Sequence, residues 1–191
     1  MSIALQCRCG QVRGEVDTDR TYVRAICYCR YCQAFARWLG TPGLTDDKGG
    51  SDIVAMSPSR VRFTEGEAQV ACITLSRKGP YRWYAACCRT PIGNTPRTPD
   101  MHYVGLCTPC LEGAGDAVDE AFGPAGECVI NTGSATAPVP TTPLAFVLGG
   151  LRILKGVLGA RLRGLRQSPF FDDAGQPLRK PQIVAMEREP G

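Results

Sequence analysis

Apolar and polar residues alternate with a period of two over much of the first hundred positions, the signature of short, half-buried strands. Strands are predicted within Ser2–Val16, broken by a Cys-x-Cys-Gly knuckle at residues 7–10, and at Tyr22–Ile26, Asp52–Met56, Val61–Glu67 with its turn, Ala68–Ser76, Tyr81–Ala85 and Met101–Leu106. One short helical segment, Gln33–Leu39, interrupts them. Gly, Asp, Thr and Ser crowd residues 40–58 and predict loop on either side of the Asp52 strand. Many short strands with turn signals between them predict a mostly β, mainly antiparallel domain over residues 1–106.

The pattern then changes. Residues 107–142 are rich in Gly, Ala, Thr and Pro, with Asp116–Phe122 the one helical segment and Ala135–Pro143 a proline-rich linker. Within residues 143–191, Leu144, Leu148, Leu151, Leu154, Leu158, Leu162 and Leu165 recur at steps of three and four and predict a helical arm. Arg152, Lys155, Arg161, Arg163 and Arg166 stand among them with no acid. Such a basic amphipathic helix suits an anionic membrane surface, a partner, a second subunit in a homo-oligomer, or packing on its own domain. Gly156, Ala160 and Gly164 would admit another helix closely. Charge interrupts residues 144–166 too often for a transmembrane span, which needs about 20 largely apolar residues. A turn after Ser168 and a terminal strand at Gln182–Met186 close the chain.

Composition alters this picture through cysteine. The chain has 191 residues and 43% apolar content, ordinary for a domain with a real core, but eleven cysteines and one histidine. An odd number cannot all pair. The N-terminus lacks the charged region and apolar core of a secretion signal, so the expected compartment is the reducing cytoplasm, where close cysteines serve as metal ligands or redox thiols. Residues 1–149 carry 14 basic and 14 acidic side chains and residues 150–191 carry 8 and 4, so the net +4 belongs to the end of the chain. A charge-neutral domain with a short basic stripe argues against nucleic acid as a partner.

The chemistry centres on Cys27-Tyr-Cys29-Arg-Tyr-Cys32. Three thiolates at this spacing can converge on one borderline cation, and three inert core residues would not need sulfur. Cys7 and Cys9 precede it, and Cys87 and Cys88 follow. Cys72 reads as a small buried hydrophobe. Cys107 and Cys110 have the spacing of a redox pair or half a metal site, which Cys128 could extend. His102 is either a metal ligand or acid–base group, or a hydrogen-bonded structural residue. Four cysteine ligands close a zinc site, whereas three leave a position for water or substrate. Three thiolates also make the centre negative, which favours binding a thiol as thiolate over generating hydroxide. Arg24, Arg30 and Arg37 flank the cluster and suit a carboxylate.

Cys7-x-Cys9-Gly10, Cys27-x-Cys29-x-x-Cys32 and an aromatic strand running into Cys88-Arg-Thr-Pro-Ile together resemble the glutathione-dependent formaldehyde-activating enzymes and centromere protein V-like proteins, over residues 4–106. The resemblance implies a β-tent of folded antiparallel sheets with zinc knuckles. It implies a structural zinc on Cys7, Cys9 and Cys88 and a second zinc, tied to catalysis, on Cys27, Cys29 and Cys32. The implied activity is that of a carbon–sulfur lyase or synthase on an adduct of a small thiol such as glutathione with an aldehyde such as formaldehyde. The late motif departs from the family: Ala85 stands in place of its first cysteine and Arg89 in place of its glycine. Cys87 is the nearby candidate for a fourth ligand, and three ligands plus water is the other arrangement. The other class of function is a non-catalytic, zinc-stabilised binding module.

Overall fold

Alternation along β1 (Ser2–Gln6) and β2 (Arg13–Asp17) turns Ile3, Leu5 and Val16 inward, and the two strands pair antiparallel with Ile3 opposite Val16. In the computed structural model, which describes residues 1–112 and 115–185, β2 also pairs with β5 (Val61–Glu65) to complete a three-stranded sheet. Gly14 sits at the bulge of that pairing, where an added Cβ would lie 2.3 Å from the Arg62 carbonyl oxygen, so only glycine lets the two backbones approach.

The second sheet has eight strands. From one edge to the other it runs β10 (Val129–Ile130), β3 (Thr21–Cys27), β4 (Ser51–Met56), β9 (Val104–Cys107), β8 (Thr90–Thr95), β7 (Tyr81–Ala85), β6 (Val70–Thr74) and β11 (Gln182–Ile183). The inner pairings are antiparallel, and the two edge strands, each of two residues, pair parallel. Helices α1 (Arg30–Leu39), α2 (Asp116–Phe122) and α3 (Pro143–Leu162) complete the fold. The class is the expected one: mostly β, two folded sheets with cysteine knuckles, and a C-terminal helical arm.

Several elements differ from the sequence reading. Strand β8 carries Pro91 and Gly93, residues that weaken a strand pattern, yet it is buried between β7 and β9, with a bulge at Trp83/Tyr84 opposite the proline. Of the expected terminal strand, Gln182 and Ile183 pair with β6, and Met186 lies outside the described residues. The main core draws on the whole chain: Trp83, Leu106 and Val54 pack with Cys110, Leu111 and Val118 from the connecting segment and with Phe170 and Phe171 from the tail. The Trp83 and Phe170 rings lie 5.2 Å apart, and the Trp83 indole N–H donates to Thr95 at 3.0 Å.

Helix α3 settles a facing that the sequence left open. Its small residues meet the domain, Gly149 against Val23, Gly156 against the Tyr22 ring and Ala160 buried, while the leucine stripe faces out. Gly164, the third member of the small-residue series, lies beyond the helix end in the left-handed region at φ 64°. By length and composition alone, the 20-residue helix is long and apolar enough to cross a bilayer, with a mean hydropathy of 1.5, although its charges argued otherwise.

His102 is 1% exposed, and neither ring nitrogen has a hydrogen-bond partner among the described residues. Burial, followed by the positive charges of Arg163 and Arg20, holds its pKa below the ordinary 6.5. The folded chain therefore binds fewer protons here than the unfolded one. The associated stability is complete above about pH 6.5 and is lost as pH falls toward the lowered native value. In urea titrations at pH 7.5 and 5.5, wild type should lose more stability on acidification than His102→Phe. Equal losses would sink this reading.

Candidate metal centres

The first centre forms where the sheets meet. Cys7 and Cys9 lie on the knuckle between β1 and β2, and Cys87 and Cys88 lie on the turn between β7 and β8. The Cys7 and Cys9 sulfurs are 3.5 Å apart, Cys7 and Cys87 3.7 Å, Cys9 and Cys87 3.3 Å, and Cys87 and Cys88 3.8 Å. All four Sγ atoms lie within 4.8 Å of one another, and all four thiols are free. A tetrahedral ion with metal–sulfur bonds of about 2.3 Å requires sulfurs about 3.8 Å apart, so the four can close on one metal ion.

The vicinal pair serves because Arg89 takes the left-handed conformation, at φ 57°, at the position where glycine was expected. Its amide donates to the Ala85 carbonyl at 2.8 Å and turns the chain so that both sulfurs face the knuckle. The Arg89 guanidinium lies 5.7 Å from the centre of the Trp38 ring, which helps to hold the strained residue. Ala85 is fully buried in β7 and plays no part in the centre. Hydrogen bonds from the Val12 amide to Cys7 Sγ at 3.2 Å, and between Cys88 Sγ and the Thr90 hydroxyl at 3.1 Å, orient two of the ligands.

The second centre is built by one strand-to-helix junction. Cys27 ends β3, Cys29 is the N-cap of α1, and Cys32 lies in its first turn. The Cys32 amide donates to Cys29 Sγ at 3.4 Å, and the Cys32 and Cys27 sulfurs are 3.8 Å apart. All three sulfurs lie within 4.8 Å of one another. Hydrogen bonds from the Cys27 and Cys32 thiols, then the Cys32 amide and the Arg82 charge, hold the Cys29 pKa well below that of an ordinary thiol. The same two-thiol crowding, followed by burial, pushes Cys32 up. Without a cation the three cannot all ionise; with one they can.

Residues 1–180 match the model of a family of unknown function, DUF6151. The chain belongs to the DUF6151 family. No curated protein matches it. A crystal structure of a Rhodobacter sphaeroides protein is similar at 19% identity, covering 65% of this chain and 99% of that one, with a TM-score of 0.43.

In this DUF6151 chain the second centre has two neighbours that sequence reasoning missed. Asn131 donates from Nδ2 to Cys27 Sγ at 3.4 Å, brought there by the parallel pairing of β10 with β3 and its own left-handed φ of 58°. Arg82, 5% exposed, directs Nη1 and Nη2 at Cys32 Sγ from 3.8 and 3.9 Å and lies 5.3 Å from the centre of the Phe35 ring. Among the described residues no carboxylate forms an ion pair with it. Its counter-charge is therefore the sulfur cluster. The available signal was a lone cation in an otherwise apolar and aromatic strand, Tyr81–Ala85.

Other candidates fall elsewhere. Arg24 is not free for a ligand's carboxylate: it is buried and paired with Asp52 at 2.7 Å and Asp119 at 2.6 Å. Arg30 is exposed at the start of α1. Arg37 lines an open groove of about 510 Å³ between α1 and the loop Thr41–Asp47. Ala36 and Leu44 wall that groove and also a cavity of about 20 Å³ beside Cys32, Arg82, Asn94 and Cys107. Cys107 and Cys128 pack against the three-cysteine cluster, whereas Cys110 is buried in the main core and donates to the Ile92 carbonyl. The Cys107–Cys110 spacing therefore joins two different cores. Neither these three nor His102 belongs to a metal-binding group among the described residues.

Proposed function

We propose that this chain binds two zinc ions, a structural one at Cys7, Cys9, Cys87 and Cys88 and an open one at Cys27, Cys29 and Cys32. At the second it makes or cleaves the carbon–sulfur bond of a thiol–aldehyde adduct such as S-hydroxymethylglutathione. The observation that carries this reading is the contrast in ligand number, four sulfurs in one group and three in the other. The order and spacing of the cysteine motifs, which resemble those of the glutathione-dependent formaldehyde-activating enzymes, support it.

Zinc held by three thiolates would supply a position that binds a substrate thiol as its thiolate. The chain's own residues set the conditions. Arg82 offsets the negative charge of the cluster, and Asn131 steadies Cys27. The groove along α1, lined by Arg37, offers a thiol tripeptide a bed and shares the Ala36 and Leu44 walls with the cavity beside Cys32. In the condensation, the sulfur–carbon bond forms as the carbonyl π bond opens, and the thiol's proton ends on the carbonyl oxygen.

A second reading, a binding module with two structural zincs, is favoured by one feature. The cavity beside Cys32 has room for about one water, and Cys27 and Cys32 are buried. Elemental analysis of anaerobically purified protein separates the readings. Two zincs per chain, one of them lost in Cys29→Ala, with a cobalt-substituted spectrum that changes on adding glutathione, is the expected result. Zinc indifferent to both the substitution and the thiol would leave the binding module.

A further inference from the structure

The outward face of α3 is an apolar surface that none of the described residues covers. At 100° per residue, Leu144, Val147, Leu148, Leu151, Leu154, Leu158 and Leu162 project within a sector of about 120°. All seven are exposed, from Leu148 at 45% to Leu162 at 89%. The face runs for about 30 Å, far beyond the scattered apolar residues of an ordinary surface. Charge accompanies it: Arg152 lies along one flank and Arg161 along the other, Lys155 projects within the sector near the Arg152 side, and no acidic residue occurs between Glu127 and Asp172. Among the described residues, none of these three cations forms an ion pair. Arg166, by contrast, is paired with Asp100.

We propose that α3 docks this face in the headgroup region of an anionic lipid bilayer, lying parallel to the surface. The charge selects that occupant. In a two-fold pairing of α3 with its own copy, Arg152, Lys155 and Arg161 would meet only other cations, a repulsive arrangement. The small residues that let helices pair closely are already spent on the chain's own sheet, Gly149 against Val23 and Gly156 against Tyr22. That same packing argues against a span. The inner side of α3 rests on β3, so a crossing would carry the buried Arg24 and its ion-paired Asp52 and Asp119 into hydrocarbon. A protruding row of leucines flanked by cations matches a lipid surface, which takes the apolar side chains without a shaped groove while its phosphates meet the Arg and Lys groups.

The test is co-sedimentation of the full, metal-loaded chain with two kinds of vesicle, phosphatidylcholine mixed with phosphatidylglycerol and phosphatidylcholine alone. Binding to the mixed vesicles, weakened by salt and absent from phosphatidylcholine alone, is expected. Arg152→Gln with Lys155→Gln should lower vesicle affinity about thirtyfold, at about fivefold per cation. Leu151→Glu with Leu158→Glu should abolish binding with unchanged metal content and circular dichroism, because both side chains are exposed in the folded chain. The proposal fails if the folded wild type ignores the mixed vesicles or if the Leu→Glu pair binds as wild type does. It also fails if light scattering shows a dimer that these substitutions dissolve and that does not bind lipid.

Discussion

Cys9→Ala is expected to cost the chain one metal ion and about 10 °C or more in melting temperature. Cys9 is exposed, so its truncation leaves no cavity, and any large loss must come through the metal. The four sulfurs clip the three-stranded sheet to the turn between β7 and β8, across some 80 residues of chain. A structural site of this type in isolated zinc modules is worth about 10–16 kcal/mol, comparable to the entire stability of an ordinary domain. Recovery of even 4 kcal/mol of that as folding energy corresponds to a shift of about 10 °C at this chain length. Differential scanning calorimetry with metal analysis reads both quantities. Cys72→Ala is the control: Cys72 is buried outside both clusters, and the variant should keep its metal and lose only about 1–2 kcal/mol. A Cys9→Ala protein with full metal content and wild-type melting would remove this centre from the account.

The second large effect is expected at Arg82, and it reverses sign with metal. In the loaded protein, Arg82→Met removes the buried cation facing Cys32, and the three-cysteine centre should hold its ion about 10–100-fold less tightly. Competition with a chromophoric chelator reads this loss, and the four-cysteine centre should retain its ion in the same titration. In the metal-free protein the Cys27 and Cys32 thiols are pushed up and stay protonated while Cys29 alone is held low, so Arg82 faces a neutral Cys32 Sγ and has one thiolate for counter-charge where the loaded centre offers three. There the methionine variant should be the more stable, by about 1–3 kcal/mol. Urea unfolding with and without chelator tests the crossover. Equal metal affinity in the two proteins, or a metal-free variant weaker than wild type, would show that Arg82 acts by packing on Phe35 and not by charge.

Much of this architecture was legible in the chain itself. Period-two alternation identified most of the strands, and Asp116–Phe122 is a helix as the local pattern predicts. The Cys27, Cys29 and Cys32 group was also readable, because knuckle spacing is a local property, whereas the joining of Cys7 and Cys9 with the late cysteines came only from the family resemblance. Cys29 and Cys32 are three apart, so with Cys29 at the cap of α1 the other sulfur falls in its first turn.

What the sequence could not decide depends on contacts between distant segments. β8 is a strand because β7 and β9 flank it, against the local preferences of Pro91 and Gly93. Arg82 reaches Cys32 and Asn131 reaches Cys27 of the same cluster from positions about fifty and a hundred residues along the chain, through sheet pairings that no local period records. The stripe on α3 shows the limit most clearly. Periodicity identified a helix with an apolar face but not the direction in which that face points. Gly149 and Gly156 fit against β3, where larger side chains would collide with Val23 and Tyr22, and Ala160 is buried, so tertiary packing chose the small residues for the inside and left the leucines facing out.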